Sequence, residues 1–202
     1  MILLLIGKSA SGKDAIMRDF TSTNFVQKIV SYTTRPKRKG EVSGVDYIFI
    51  TDQQFTDMKN EGRFFQTREY ETCVCGRKDI WYYGSGRVQN QRIPYASIVD
   101  IQGAKDYIKE YGKENIFCVY VDADDATREN RAKLRGSFDQ QEWDRRLKDD
   151  SVKFSMDSIK EVADLIVDNS NDIRDAEFEI AYGFYSYIMD RYAKKDRRRV
   201  IK

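Results

Sequence analysis

Five consecutive apolar residues, Ile2-Leu3-Leu4-Leu5-Ile6, lead into a glycine-rich turn. An unbroken apolar run without polar alternation predicts a strand buried on both faces, as in a parallel sheet. The pattern then becomes helical from Gly12 to about Phe20, and 25–31 predicts a second strand. Residues 31–47 are polar, basic and glycine-containing, which is loop composition. Residues 47–50 alternate as a short strand. Phe55 and Met58 set a helical spacing over 52–61, which Gly62 stops. Phe64 and Phe65 begin another strand, and the mixed polar stretch 69–80 predicts a hairpin or loop. Apolar runs at 95–101, 116–121 and 163–167 predict further buried strands. Helices are expected at 102–111, at 124–134 and, after a break at 136–141, from about Glu142. A last helix is expected over 172–192, with Phe178, Ala181, Tyr185 and Ile188 as its apolar positions, and the basic tail from Lys194 is expected to fray.

Strands alternating with helices predict an α/β fold, a parallel sheet covered by helices on both faces. At 202 residues, 41% hydrophobic and 34% charged, the chain has the composition of a globular protein and not of a disordered one. One compact domain with inserted lobes suits this pattern better than two small domains. The net charge of +2 does not by itself indicate a nucleic-acid partner, and basic residues concentrate at Arg35, Lys37, Arg38 and Lys39 and again over 194–202. The apolar run at 2–6 is too short to span a membrane or act as a secretion signal, so neither nucleic acid nor membrane is an expected partner. Cys73, Cys75 and Cys118 read as free thiols and the compartment as cytoplasmic. A zinc site at Cys73 and Cys75 would want further ligands in a chain without histidine.

Candidate chemistry starts where the first strand ends. Gly7-Lys8-Ser9-Ala10-Ser11-Gly12-Lys13 has the spacing G-x-x-x-x-G-K between an apolar strand and a helix. Glycines there let backbone N–H groups turn inward around phosphate oxygens, and the helix start adds a favourable dipole. Lys13 would place its charge on the β- and γ-phosphates of a nucleoside triphosphate. The next position usually carries a hydroxyl that binds Mg²⁺, and here it is Asp14. Its carboxylate is a hard ligand that would hold the ion directly or through water, or else Asp14 caps the helix.

The second cluster lies in Ser31-Tyr32-Thr33-Thr34-Arg35-Pro36-Lys37-Arg38-Lys39-Gly40-Glu41-Val42-Ser43-Gly44-Val45-Asp46-Tyr47. Ser31, Arg35, Arg38 and Tyr47 supply two guanidinium forks and two hydroxyls, a set suited to a phosphate dianion. This run closely resembles the S-x-T-T-R-x-x-R-x-G-E-x-x-G-x-D-Y segment of the guanylate kinase family, and the likeness extends over roughly residues 2–190. The resemblance implies that Ser31, Arg35, Arg38 and Tyr47 hold the phosphate of an acceptor nucleotide. Tyr82-Tyr83-Gly84-Ser85 is similar to the family's Y-Y-G-S/T motif, which implies Tyr83 on the phosphate and Ser85 on guanine, with Tyr82 as packing. Asp100, in Asp100-Ile101-Gln102-Gly103, resembles a D-x-Q-G motif and would touch the base or serve as a helix cap. Where the family places a glutamate on guanine, this chain has Gln66. A carboxamide offers one acceptor and one donor group in place of two acceptors, so a guanine hydrogen bond is lost or mispaired unless Glu69 or Glu71 compensates.

A third stretch, 125–147, is rich in arginine. Arg131, Arg135-Gly136 and Arg146-Leu147 resemble the arginines of the family's helical lid, which close on the transferred phosphoryl group and expel water. Arg128 and Arg145 read as surface residues. Taken together the resemblance implies a three-layer P-loop kinase fold with a central parallel sheet, an inserted monophosphate-binding lobe and a helical lid. Its expected parts are a core at about 1–31, 95–122 and 160–192, an acceptor lobe at 32–84, a lid at 123–158 and a tail at 193–202. The implied activity is transfer of the γ-phosphoryl of ATP, with Mg²⁺, to GMP or dGMP. A nucleoside monophosphate kinase of altered base preference is the main alternative. A ribose bisphosphate kinase, suggested by the Gly12-Lys13-Asp14 ending, and a non-catalytic peptide-binding module are others. Retention of Lys13, Arg35, Arg38, Arg135 and Arg146 weighs against the last.

Overall fold

A computed structural model describes residues 1–202 except 24, 39, 75–76, 89–92, 135–137 and 201–202, together with the side chains of 73, 74, 77 and 194–200. The chain divides into two compact units, Met1–Gln27 with Arg92–Lys202, and Lys28–Gln91.

The larger unit is built on β1 (Ile2–Ile6), β2 (Gln27–Lys28), β7 (Tyr95–Ile98), β8 (Ile116–Asp122) and β9 (Leu165–Asp168), in the order β2-β7-β1-β8-β9. β1 lies parallel between β7 and β8, with Leu3 beside Ala96 and Phe117, and β8 runs parallel to β9. Every residue of β1 is buried, as a central strand of a sheet covered on both sides requires. Side chains alternate between the faces. Leu3, Leu5, Phe117, Val119, Val121 and Val167 join Ile16 and Met17 of α1 (Lys13–Ser22) and Ala176, Ile180, Phe184 and Ile188 of α7 (Ile173–Val200) in one apolar cluster. Helix α3 (Ile101–Tyr111) packs on β1 and β8 and against α6 (Met156–Val162), burying Ala104, Tyr107, Ile159 and Val162. Between β8 and β9 the chain also forms α4 (Asp125–Leu134) and α5 (Gln140–Lys153), and Asp139 caps the start of α5 by accepting from the Glu142 amide.

The smaller unit is a four-stranded sheet, β4-β3-β6-β5, with one helix. β3 (Tyr32–Thr33) runs parallel to β4 (Ile48–Phe49) and antiparallel to β6 (Arg77–Gly86), and β5 (Phe64–Val74) pairs antiparallel with β6. α2 (Asp52–Asn60) begins with a capping box between Thr51 and Gln54 and sets Phe55 on the rings of Phe64 and Tyr82.

Several expectations are corrected. The strand at 25–31 shortens to Gln27–Lys28, an outer strand. The expected loop 31–47 contains β3, too short to leave a periodic signal. Of the two readings of 69–80, hairpin or loop, the antiparallel pair β5 and β6 bears out the hairpin, and Ser155 caps an unexpected helix, α6. Helix α7 buries Ala176, Ile180, Phe184 and Ile188, while Phe178, Ala181 and Tyr185 are exposed. Its backbone stays helical to Val200, because Ala, Lys and Arg are strong helix formers.

Candidate functional site

In the larger unit the phosphate loop joins β1 to α1. Gly7 and Gly12 both have positive φ, 152° and 99°. A Cβ on Gly7 would lie 2.4 Å from the Val121 carbonyl oxygen, and one on Gly12 would lie 2.2 Å from Asn169 Nδ2. Both positions therefore demand glycine for space as well as for backbone conformation. Ala10 also has positive φ, 61°, a strained state for a residue with a Cβ. The Lys13 ammonium bends back over the loop, donating to the Lys8 carbonyl at 2.7 Å and Ser11 Oγ at 3.2 Å. Gly12 is the N-cap of α1, so Asp14 is not its cap and stands in the helix's first turn, where the dipole favours a carboxylate.

Side chains from distant elements hold this loop. Asn169, just after β9 and fully buried, donates Nδ2 to the Ser11 carbonyl at 2.8 Å, and Arg131 reaches the same oxygen at 3.4 Å. Arg128 of α4, expected at the surface, is only 1% exposed. It donates to the Ser9 carbonyl at 3.0 Å, to Asp125 at 2.6 Å and to Asp150 of α5 at 3.2 Å, and its guanidinium lies 5.7 Å from the Trp143 ring centre. Asp150 in turn accepts the Ser9 amide at 2.7 Å. A buried cation is tolerated only with such partners, and here they bind one turn of the phosphate loop on both its N–H and its C=O. Sequence reasoning missed Arg128, Asp150 and Asn169, because no local pattern tells a buried arginine from a solvated one.

Among the expected lid arginines, Arg131 meets the phosphate loop. Arg146 donates to Glu142 at 2.8 Å, as does Arg145, which also pairs with Asp149. The Arg145 hydrogen bond, with help from Arg146, holds the Glu142 carboxyl below its usual range against the effect of burial. Arg145, expected at the surface, is half-buried among these acids, and Arg135 lies outside the described residues. No cluster of three or more Cys, Asp or Glu able to hold a metal occurs among the described residues. Mg²⁺ is commonly bound by one or two carboxylates plus substrate phosphates, so a single carboxylate, Asp14, beside the phosphate loop fits an ion carried in on a nucleotide. Cys118 is a free, buried thiol pushed up to about 12 by burial, with Asp164 adding to the shift, while Cys75 and the side chain of Cys73 lie outside the described residues.

In the smaller unit Arg35 is buried. Its guanidinium donates to Glu41 at 2.7 Å and to the Pro36 carbonyl at 2.8 Å, and lies 5.4 Å from the Tyr47 ring centre. Burial opposes the Arg35 charge, but the Glu41 hydrogen bond and the fields of Tyr83, Glu41 and Tyr47 outweigh it and raise its pKa. Glu41 uses its second oxygen to accept the Arg38 amide at 2.7 Å. Burial pushes the Glu41 carboxyl up, and its bonds to Arg35 and Arg38 pull it lower still, below the usual value. One carboxylate therefore fixes the Arg35 guanidinium and the backbone of the loop at Arg38. Glu41 sits inside the motif run but had no assigned role, and its place three residues after Arg38 was the available signal. Tyr47 meets Tyr83 edge to face, and the Tyr83 hydroxyl, raised by burial, bonds Thr33 and Arg35.

Two strand positions beyond Tyr83, Ser85 faces the same side of β6. Its Oγ lies 3.2 Å from Ser31 Oγ and accepts Gln66 Nε2 at 3.1 Å. A bulge between Phe64 and Gln66 sets Gln66 opposite Ser85. Gln66 Oε1 is buried with no hydrogen-bond partner among the described residues. Glu69 and Glu71 stand three and five positions further on, opposite Tyr82 and Ile80, so both point away from Gln66's face and are exposed. Neither replaces the missing carboxylate. Tyr82 stacks on Phe55 and is packing. Asp100, in the larger unit, is the N-cap of α3 and accepts the Gly103 amide at 2.7 Å.

A parallel α/β sheet whose first strand feeds a glycine-turned loop into a helix N-terminus, with a lysine folded over that loop, defines the P-loop class of phosphate-binding proteins. Comparison with known proteins narrows the class. The family profile described as "Guanylate kinase" matches residues 1–180. The chain is 25% identical over 186 residues to the guanylate kinase of Streptococcus mutans serotype c (strain ATCC 700610 / UA159), covering 80% of this chain and 84% of that one. It is 38% identical over 115 residues to the guanylate kinase of Syntrophus aciditrophicus (strain SB), covering 54% and 52%. The crystal structure of guanylate kinase from Anaplasma phagocytophilum shares the fold, with a TM-score of 0.62 at 20% identity, covering 92% of this chain and 85% of that one. This chain belongs to the guanylate kinase family.

Proposed function

We propose that this chain transfers the γ-phosphoryl group of ATP to GMP or dGMP, giving ADP and GDP or dGDP. An oxygen of the acceptor phosphate attacks the γ-phosphorus in line, the bond from that phosphorus to the β–γ bridging oxygen breaks, and the charge leaves on ADP. No covalent enzyme intermediate is needed. The loop 7–13 receives the triphosphate on its backbone N–H groups, and Lys13 brings its ammonium to the β- and γ-oxygens. Arg131, Arg135 and Arg146 stabilise the charge spread over the group in flight. Ser31, Arg35, Arg38, Tyr47 and Tyr83 hold the acceptor phosphate, and Glu41 orients Arg35. Gln66 and Ser85 read the base, and Asp100 caps the helix beside which the acceptor's base or sugar would lie. Asp14 would hold a Mg²⁺ ion carried in on the triphosphate, which would supply shielding of the phosphate charge. The enzyme works in the cytoplasm, where a free thiol such as Cys118 persists.

The observation that supports the reading best is the buried Arg35 guanidinium held by Glu41 beside Tyr47 and Tyr83, a phosphate-binding set in a chain of this family. Its test is ADP production from ATP and Mg²⁺ with GMP, dGMP, AMP, CMP, UMP and dTMP offered separately. Turnover is expected with GMP or dGMP at least tenfold above the other four. Preference for another acceptor would reassign the base pocket, and absence of turnover with all six would overturn the proposal.

A further inference from the structure

Helix α7 buries Ala176, Ile180, Phe184 and Ile188 on the sheet, yet its outer side is not polar. Phe178, Tyr182, Tyr185, Met189 and Tyr192 are all exposed, from 74% at Phe178 to 49% at Met189. Their spacing is four, three, four and three residues, the 3.5-residue period that keeps a seam facing a partner helix. At helical geometry they form one stripe roughly 80° wide, opposite Ile180. Isolated exposed apolar residues are ordinary, but a continuous aromatic stripe marks a contact surface. With each large side chain offering 150–250 Å² when fully open, the stripe presents about 600 Å².

We infer that this stripe is a homodimer seam, on which a second copy of the chain lays its own α7 antiparallel. Area and charge both favour that occupant. Two stripes together bury about 1,200 Å², the lower bound of a stable specific interface, before flanking residues are counted. Residues 172–179 carry three exposed acids, Asp172, Asp175 and Glu179, and one base, Arg174, while Glu177 turns to Asp19 of α1. Residues 191–199 carry six bases and one acid, and the helix backbone continues through them to Val200. A parallel pair would set acid on acid and base on base. An antiparallel pair sets each acidic start against a basic end, and a two-fold axis makes the same patch serve both partners. None of the residues proposed for phosphoryl transfer lies on the stripe, so association and activity are separately measurable.

The test is sedimentation equilibrium of the full chain across micromolar concentrations, at low and high salt. The expected result is a mass of two chains that falls towards one on dilution, and at lower protein concentration in low salt than in high salt. Tyr182→Glu/Tyr185→Glu should be monomeric with wild-type circular dichroism, and Phe178→Ser/Tyr185→Ser serves the same purpose if the glutamates disturb folding. Asp175→Lys/Glu179→Lys should weaken the dimer about tenfold or more. A wild-type chain that stays monomeric throughout, or a dimer indifferent to both stripe variants, would overturn the proposal. A dimer broken by the stripe variants but untouched by charge reversal would overturn the antiparallel arrangement.

Discussion

Glu41, Gln66 and Arg128 each illustrate what one side chain does for its neighbours. Glu41 spends both oxygens on the arginine pair, at 2.7 Å to Arg35 and 2.7 Å to the Arg38 amide. Glu41→Gln keeps the shape and removes the charge that fixes Arg35. The expected loss is about 1.5–3 kcal/mol, the worth of a charged hydrogen bond, read as a rise in KM for GMP with KM for ATP unchanged. Gln66 donates to Ser85 and leaves one buried acceptor, Oε1, which in the proposed function takes a nucleobase N–H. A glutamate would accept from the Ser85 hydroxyl and from two guanine donors. Gln66→Glu is therefore expected to improve kcat/KM for GMP by about tenfold, or ~1.4 kcal/mol, and to widen the preference for GMP over IMP, which lacks the exocyclic amine. Removing Arg128 leaves Asp150 buried without its cation. Arg128→Met should cost about 3–5 kcal/mol in urea unfolding, and Arg128→Met/Asp150→Asn should cost less than the single variant. The two arginines of 31–47 and Lys13 were legible because motif spacing names them. Arg128 was not, because burial is a property of the helices around it.

Elements show where periodicity informs and where it misleads. β1 and β8 were legible because strands buried on both faces leave unbroken apolar runs. β4 was legible in the alternation at 47–50, whereas β3, two residues long, exists through pairing with β4 and β6, which no local pattern encodes. In α7 two apolar stripes compete, one buried and one exposed, and periodicity alone mixes residues from both. The same helix carries Glu177, hydrogen-bonded to Asp19 of α1. Burial, that shared bond, and the fields of Asp19 and Asp172 raise the Glu177 carboxyl to about 7. The folded state thus binds a proton that the unfolded state has released above its ordinary pKa of 4.5. Folding stability falls as pH rises from that value through about 7, since the native state holds the extra proton. The group is only partly buried, so screening limits the effect to about 1 kcal/mol. Glu177→Gln is expected to flatten the stability profile between those limits and raise the melting temperature above neutrality.

At the scale of the whole molecule, Cys118 reports on the core. It lies in β8, at the centre of the sheet beside Leu4, and its thiol is pushed up to about 12. Alkylation of Cys118, followed by peptide mass spectrometry, should be negligible in the folded protein and should appear only with global unfolding, at the same urea midpoint as circular dichroism. Reaction under native conditions would show that the sheet opens locally. The sequence by itself determined the class of fold, the phosphate loop and the arginine-rich segment 31–47. Those follow from short-range facts: apolar runs, glycine spacing and charge type within a few residues. Only the tertiary structure decided that Arg128 and Asp150 grip Ser9 and that Gln66 faces Ser85 while Glu69 and Glu71 point away. It also decided which stripe of α7 meets the sheet and which stays exposed. These depend on burial and on partners up to 141 residues apart in the chain, and a chain read one window at a time holds neither.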